Sequence, residues 1–169
     1  MKIIATSDIH GFLPEIPECD LCIVAGDISP FHFQHNNMLM RSWLETNFTE
    51  WLNKQPTVGI AGNHDFVFAE NTISIWNNTD YQADNIATEY PANKLPWTYL
   101  QDSSVNINGL IISGTPWTPT FGGWPFQKKD DALRPFWHAI DPATNILVVH
   151  GPPHKILDKT AANIHAGLS

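Results

Sequence analysis

Apolar residues recur along this chain in short runs, each closed by turn-forming residues. The runs Lys2–Ser7, Leu21–Ala25, Thr57–Ala61, Trp97–Leu100, Ser104–Ile107, Leu110–Gly114 and Ile146–Val149 have strand length. Asn108-Gly109 sits between two of them and predicts a tight hairpin. Between the second and third runs the period changes. Met40, Trp43, Leu44, Phe48, Trp51 and Leu52 recur at three and four, which predicts an amphipathic helix over residues 36–54, stopped by Pro56. A second helix is expected near residues 66–77, and a short one over 126–139 that Pro135 would break or kink. Strand, helix, strand, then a hairpin-rich half predicts an α/β fold, with a mixed sheet or a two-sheet β-sandwich of mixed strands flanked by helices.

With 169 residues and neither repeats nor a linker, a single domain over 1–169 is the expectation. Hydrophobic residues make up 43% and charged residues 15%, which suits a packed core and not a disordered chain. The net charge of −8 disfavours non-specific nucleic-acid binding and attachment to an anionic membrane. It leaves room for a small phosphorylated ligand, because bound cations can supply positive charge. No apolar run reaches transmembrane length and the N-terminus lacks a signal-peptide layout, so a cytoplasmic location is the default expectation. Cys19 and Cys22 form a single C-x-x-C. Because Cys22 lies inside an apolar run, it reads as a core thiol and not as half of a zinc site.

The chemistry stands where the apolar runs stop. The first ends in "SDIHG" with Asp8 and His10. The second ends in "VAGDIS" with Asp27, the third in "IAGNHDF" with Asn63, His64 and Asp65, and the last in "VVHGPPH" with His150. Any one of these alone suits a turn or a helix cap. Together, each at a strand end with a glycine beside it, they predict ligands converging in the crevice at the carboxyl ends of neighbouring strands. Asp, His and Asn without cysteine make an oxygen-and-imidazole site, which favours manganese, iron or zinc over a thiolate site.

The order D-x-H, G-D, G-N-H-D and then H resembles the calcineurin-like metallophosphoesterase superfamily. "YLQDSSVNINGLIISGTPWTPTFGGWPF" and "ILVVHGPPHKILD" resemble its metallophosphoesterase-domain-containing, UPF0046-like branch. The resemblance covers essentially the whole chain. It implies a two-sheet sandwich and two divalent metal ions, manganese first, with iron or zinc as alternatives. One ion would be held by Asp8, His10 and Asp27. The other would share Asp27 and add Asn63 and His150. His64, backed by Asp65, would protonate the leaving group. The implied activity is hydrolysis of small phosphodiesters, including cyclic nucleotides, through a hydroxide bridging the metals. A phosphomonoesterase with the same site, or a catalytically impaired scaffold that keeps the fold, are the alternatives.

The chain departs from this pattern at its end. The family closes its site with a later G-H-x-H, whereas here "HGPPHKILDKTAANIHAGLS" follows, with Lys155 where a glycine is usual. His165 is followed by Ala166 and Gly167, and His154 lies too close to His150 to serve. The expectation is therefore a chain truncated before its final strands, with an unpaired apolar edge beside Ile146–Val149. If these residues are the whole chain, a homo-oligomer is expected. Trp117, Phe121, Trp124 and Phe126 could stack on a nucleobase or pack a loop, and His32 and His35 could reach the site or cap the helix.

Overall fold

The computed structural model describes residues 1–69 and 90–167. Four strands lie side by side in the order β1-β2-β3-β4, all parallel: β1 (Ile3–Thr6), β2 (Leu21–Ala25), β3 (Thr57–Ile60) and β4 (Thr98–Tyr99). The register pairs Ile3 with Leu21 and Cys22 with Thr57. Parallel strands joined by crossovers are covered on both faces, which is why "LCIVA" and "TVGI" are apolar nearly throughout and buried. Alternate side chains of β2 serve different cores. Cys22 and Val24 face the helix, with Met40, Leu44, Phe48 and Leu52. Leu21 and Ile23, with Val58 and Ile60 of β3, face the second sheet through Ile112 and Val148. Gly59 leaves the space that Trp97 fills.

The second sheet has the order β5-β6-β9, from β5 (Ser103–Ile107), β6 (Leu110–Thr115) and β9 (Ile146–Val149). Strands β5 and β6 form the expected hairpin. Asn108 and Gly109 both have positive φ, at 52° and 88°, as the tight turn requires. Strand β9 joins β6 in parallel and is the edge of this sheet among the described strands, with Leu147 exposed. Two short strands, β7 (Thr118–Pro119) and β8 (Gln127–Lys128), pair in parallel. The two main sheets packed together, with helix on the outer face of the first, form the sandwich that the pattern predicts.

The first helix is capped by Asn36, whose side chain accepts from the Leu39 amide. It runs as α1 (Asn37–Trp43), widens to a π turn over Leu44–Phe48, and finishes as α2 (Thr49–Leu52). Bonds to the fifth residue bring positions five apart onto one side. Trp43 and Phe48 accordingly stack at 5.4 Å, and Trp51 continues the stack at 5.8 Å.

Two expected helices differ from the structure. Residues Phe66–Phe68 form a single 3-10 turn, and the expected helix beyond residue 69 lies outside the described residues. The helix expected over 126–139 starts later, as α3 (Asp130–His138), because residues 127 and 128 pair in β8. It runs through Pro135. Proline removes one bond, to the Asp131 carbonyl on an exposed turn, and Ala139 continues the helix by donating to the Pro135 carbonyl at 3.1 Å. Cys19 and Cys22 are free thiols. Burial, with Cys19 adding to it, pushes Cys22 up to about 11, so it is a core thiol. No described helix is long and apolar enough to cross a membrane.

Candidate functional site

The strands β1, β2 and β3 are parallel neighbours, so their carboxyl ends lie together. The chain turns sharply as it leaves β1 and β2, and left-handed backbone does this. Asp8, His10 and Asp27 have φ of 53°, 41° and 54°, beside Gly11 at 85° and Gly26 at 93°. Main-chain bonds tie the first two exits together, from Asp8 N to Gly26 O, His10 N to Asp27 O and Gly11 N to Ile28 O, at 2.9–3.0 Å. The third exit fits against them because residue 62 is glycine. A Cβ there would press on Asp27 and come within 2.7 Å of His150 Cε1.

One ligand-type atom from each of Asp8, His10 and Asp27 falls within 4.8 Å of the other two. Asp27 is buried and its carboxylate faces two imidazoles. Oδ2 is 3.7 Å from His10 Nε2 and Oδ1 is 3.4 Å from His150 Nε2. The His10 separation is long for a hydrogen bond, and the His150 separation is near the limit of one. The His150 separation suits donors sharing one cation at bonds of about 2.1 Å, which stand about 3–3.5 Å apart, and the His10 separation is slightly wider. His150 Nδ1 lies 2.8 Å from the Ala25 carbonyl and donates to it, which turns the Nε2 lone pair toward Asp27 and toward Asn63 Oδ1 at 3.1 Å. Lone pairs facing one another call for a cation between them. The buried Nδ1 of His10 has no hydrogen-bond partner among the described residues. The donor set thus fits divalent ions.

The titration of the site reports the same demand. His150 is pushed up to about 9: burial lowers it, but the hydrogen bond and charge of Asp27 prevail. Asp27 is held below its ordinary value. Burial would raise it, and the bond to His150 and the His64 amide outweigh that. His64 is lowered, first by burial, and the charge of Asp27 only partly offsets this.

His64 projects beside this cluster, its backbone N–H donating to Asp27 Oδ1 at 2.8 Å. Its ring is in contact with His10 at 5.0 Å, Phe31 at 5.1 Å and Trp124 at 4.4 Å between centroids. Asp65, expected to back this ring, has other partners in the structure. The Asp65 carboxylate is buried and accepts from Ile28 N, Ser29 N and Ser29 Oγ on Oδ1, and from Gly62 N on Oδ2, at 2.7–3.0 Å. It ties the second exit to the third. Burial, then the charge of Asp27, pushes it up to about 6 despite these donors. The partner of His64 Nδ1 is Gln34, whose Oε1 lies 2.7 Å away.

Gln34 and Phe31 are site residues that the motifs do not single out, and the close packing around the motif's Gly62 shows only in the fold. Phe31 stacks on His10 at 3.9 Å. Only the cluster of aromatic and polar residues in "SPFHFQHNN" hints at the first two. His35 reaches Gln34, whereas His32 packs on Phe33. Of the aromatic block, Trp124 meets His64 and Phe126 is buried in the core. Trp117 bonds to Asp102 and holds Lys128 over its ring, and Phe121 is exposed. His165 binds Asp158 at 2.6 Å and His154 lies 3.8 Å from the same carboxylate, so both gather on the C-terminal loop.

A family model described as calcineurin-like phosphoesterase matches residues 1–167. The human protein "Metallophosphoesterase domain-containing protein 1" is 31% identical over 171 aligned positions, covering 93% of this chain and 50% of that protein. The Caenorhabditis elegans "UPF0046 protein K07C11.7" is 32% identical, covering 94% of this chain and 53% of its own length. The chain thus spans about half the length of these relatives.

Proposed function

The chain belongs to the calcineurin-like phosphoesterase family, and on that premise we propose that it is a metal-dependent phosphodiesterase acting on small phosphodiesters, cyclic nucleotides among them. Membership implies hydrolysis of a phosphoric ester with divalent metal ions. In the proposed assignment Asp8, His10 and Asp27 hold one ion, and Asp27, Asn63 and His150 the other. The observation that carries it is the Asp27 carboxylate, whose two oxygens face separate imidazoles. Two such ions, manganese first, would supply a water of lowered pKa and would neutralise charge on the phosphoryl oxygens.

The chain's own residues do the rest. Attack by water oxygen forms one P–O bond as the bond to the leaving oxygen breaks in line. The doubly protonated form of His64, which burial makes scarcer, gives its Nε2 proton to that oxygen, and the ring is reprotonated from solvent, to which the attacking water sheds its own proton. Trp124 and Phe31 lie against the ring and restrict its movement. Asp65 acts from behind, holding the β2 and β3 exits in register.

The side chains around the cluster are carboxylates, imidazoles, an amide and aromatic rings. A diester brings one negative charge to this acidic surround where a monoester brings up to two, which supports the diester preference. The proposed partner is a small phosphodiester or nucleotide, not a nucleic-acid backbone. Metal analysis of the purified protein, followed by hydrolysis of bis(p-nitrophenyl) phosphate against p-nitrophenyl phosphate with Mn2+, tests the reading. Two ions per chain and faster diester cleavage are expected. Faster monoester cleavage would make it a phosphomonoesterase, and no cleavage of either with metal bound would leave a scaffold.

A further inference from the structure

The segment after Asp27 brings to His64 a side chain that the chemistry above does not use. Gln34 is half-buried, with Oε1 2.7 Å from His64 Nδ1 and Nε2 2.9 Å from His35 Nε2. A carboxamide has one accepting end and one donating end. Its oxygen takes the proton of His64 Nδ1, and its nitrogen gives one to His35 Nε2. A single amide therefore sets both rings. The backbone beneath it is fixed as well, with Phe33 N and Gln34 N both donating to Pro30 O and Asn36 N donating to Phe33 O, at 2.8–3.0 Å. At the far end the His35 ring meets Phe66 edge-on at 4.7 Å.

We infer that Gln34 is a positioning residue for His64. It holds Nδ1 away from the site and leaves Nε2 as the nitrogen presented to the leaving group. This rests on the role of His64 proposed above. The residue next to His64 in sequence cannot do this work, because the Asp65 carboxylate is already engaged by four donors. An amide also suits the place better than a carboxylate. It orients the ring without adding negative charge beside Asp8 and Asp27, and so does not compete with them for the ions.

The test combines kinetics with a spectroscopic readout. Gln34→Ala, Gln34→Glu, His64→Ala and the Gln34→Ala/His64→Ala double variant are loaded with Mn2+ and assayed on bis(p-nitrophenyl) phosphate and on an alkyl phosphodiester. Gln34→Ala should lower kcat about 10–100-fold on the alkyl ester, the usual worth of an orienting partner. KM and metal content should hold. Gln34→Glu, which keeps an oxygen facing Nδ1, should recover most of the rate. Adding Gln34→Ala to His64→Ala should change nothing further, because the two act as one unit. In parallel, nitrogen NMR of the His64 ring in the chelator-treated protein should show a proton on Nδ1 in the wild type and in Gln34→Glu, and lose that preference in Gln34→Ala. A second independent fall in the double variant, a change confined to KM, or a wild-type ring protonated on Nε2 alone would each overturn the inference. If the wild type hydrolyses no phosphoester, the proposed function falls, and the NMR result alone decides whether Gln34 orients His64.

Discussion

Replacing Gly62 by alanine adds one carbon at the tightest point between the β2 and β3 exits. That carbon would lie 2.5 Å from Asp27 N and 2.7 Å from His150 Cε1, and it would press on Asp27 Oδ1. Ordinary contact begins near 3.5 Å, so His150 must retreat by about 0.8 Å and Asp27 by about 1 Å or more. Asp27 cannot retreat alone, because its carbonyl accepts from His10 N and the adjoining Gly26 carbonyl from Asp8 N. Gly62 lacks left-handed backbone, so the effect is steric throughout. Overpacking of this kind costs about 1–3 kcal/mol. At about 2–4 °C per kcal/mol for a chain of this size, Tm should fall by about 2–12 °C. The greater effect is on geometry, since misplacing reacting groups by about 1 Å lowers rates about 100-fold. Melting by circular dichroism, metal content and phosphodiester hydrolysis would be measured together. Gly109→Ala is the control: φ there is +88° and nothing lies within 4 Å, so it should cost about 1–2 kcal/mol through backbone strain and leave metal and rate untouched. A Gly62→Ala protein with wild-type metal content and rate would refute the claim that this glycine makes room for Asp27 and His150.

Asp27→Asn removes the charge that His10 and His150 both face, so most bound metal and nearly all activity should go; full metal stoichiometry by mass spectrometry would rule out the shared-ligand assignment. His64→Ala should keep its metal and lose about 10²–10⁴ in rate on an alkoxide-leaving diester, but less on p-nitrophenolate, which needs little help to leave. Equal losses on the two substrates would sink the proton-donor role. Asp65→Asn sets an amide N–H against a main-chain donor in a buried place, which should cost about 1–3 kcal/mol; an unshifted urea midpoint would contradict its structural role. Asp158 is held down at about 2: burial would raise it, but His165 and the Lys155 and Gly167 amides prevail. A carboxyl lowered in the folded state stabilises above its ordinary 3.8 and loses that contribution as pH falls through about 2. Protection of the Gly167 amide relative to its intrinsic exchange rate should therefore fall between about pH 4 and 2, and unchanged protection across that window would count against the clamp.

The strands were legible because a parallel sheet buried on both faces demands apolar runs such as "LCIVA", and no surface strand would. Asp8, Asp27 and Asn63 were legible only as a set, because polar residues closing several neighbouring runs point to one crevice. What the sequence hides is set by partners distant along the chain. Asp65 reads as a companion of His64 by adjacency, yet its donors Ile28 and Ser29 lie 37 and 36 residues away and come to it only once β2 and β3 pair. Gln34 carries no periodic signal, and its role exists only in the folded loop. Strands β7 and β8 have two residues each, too few for alternation to show. The π turn at Leu44–Phe48 is equally silent, because the apolar spacing of three and four suits an α-helix on either side of it.

Asp8, His10 and Asp27 all hold left-handed backbone. Outside glycine that conformation costs about 1–2 kcal/mol per residue, so the trio sets about 3–6 kcal/mol against a native state whose whole margin is about 5–15 kcal/mol. An ion that binds only the folded chain offsets this by mass action, adding about 2.7 kcal/mol when its free concentration is 100 times Kd. The folded-to-unfolded ratio then differs about a hundredfold between metal-replete and chelating surroundings. Free metal becomes a thermodynamic handle on how much folded protein exists, in addition to how fast each molecule turns over.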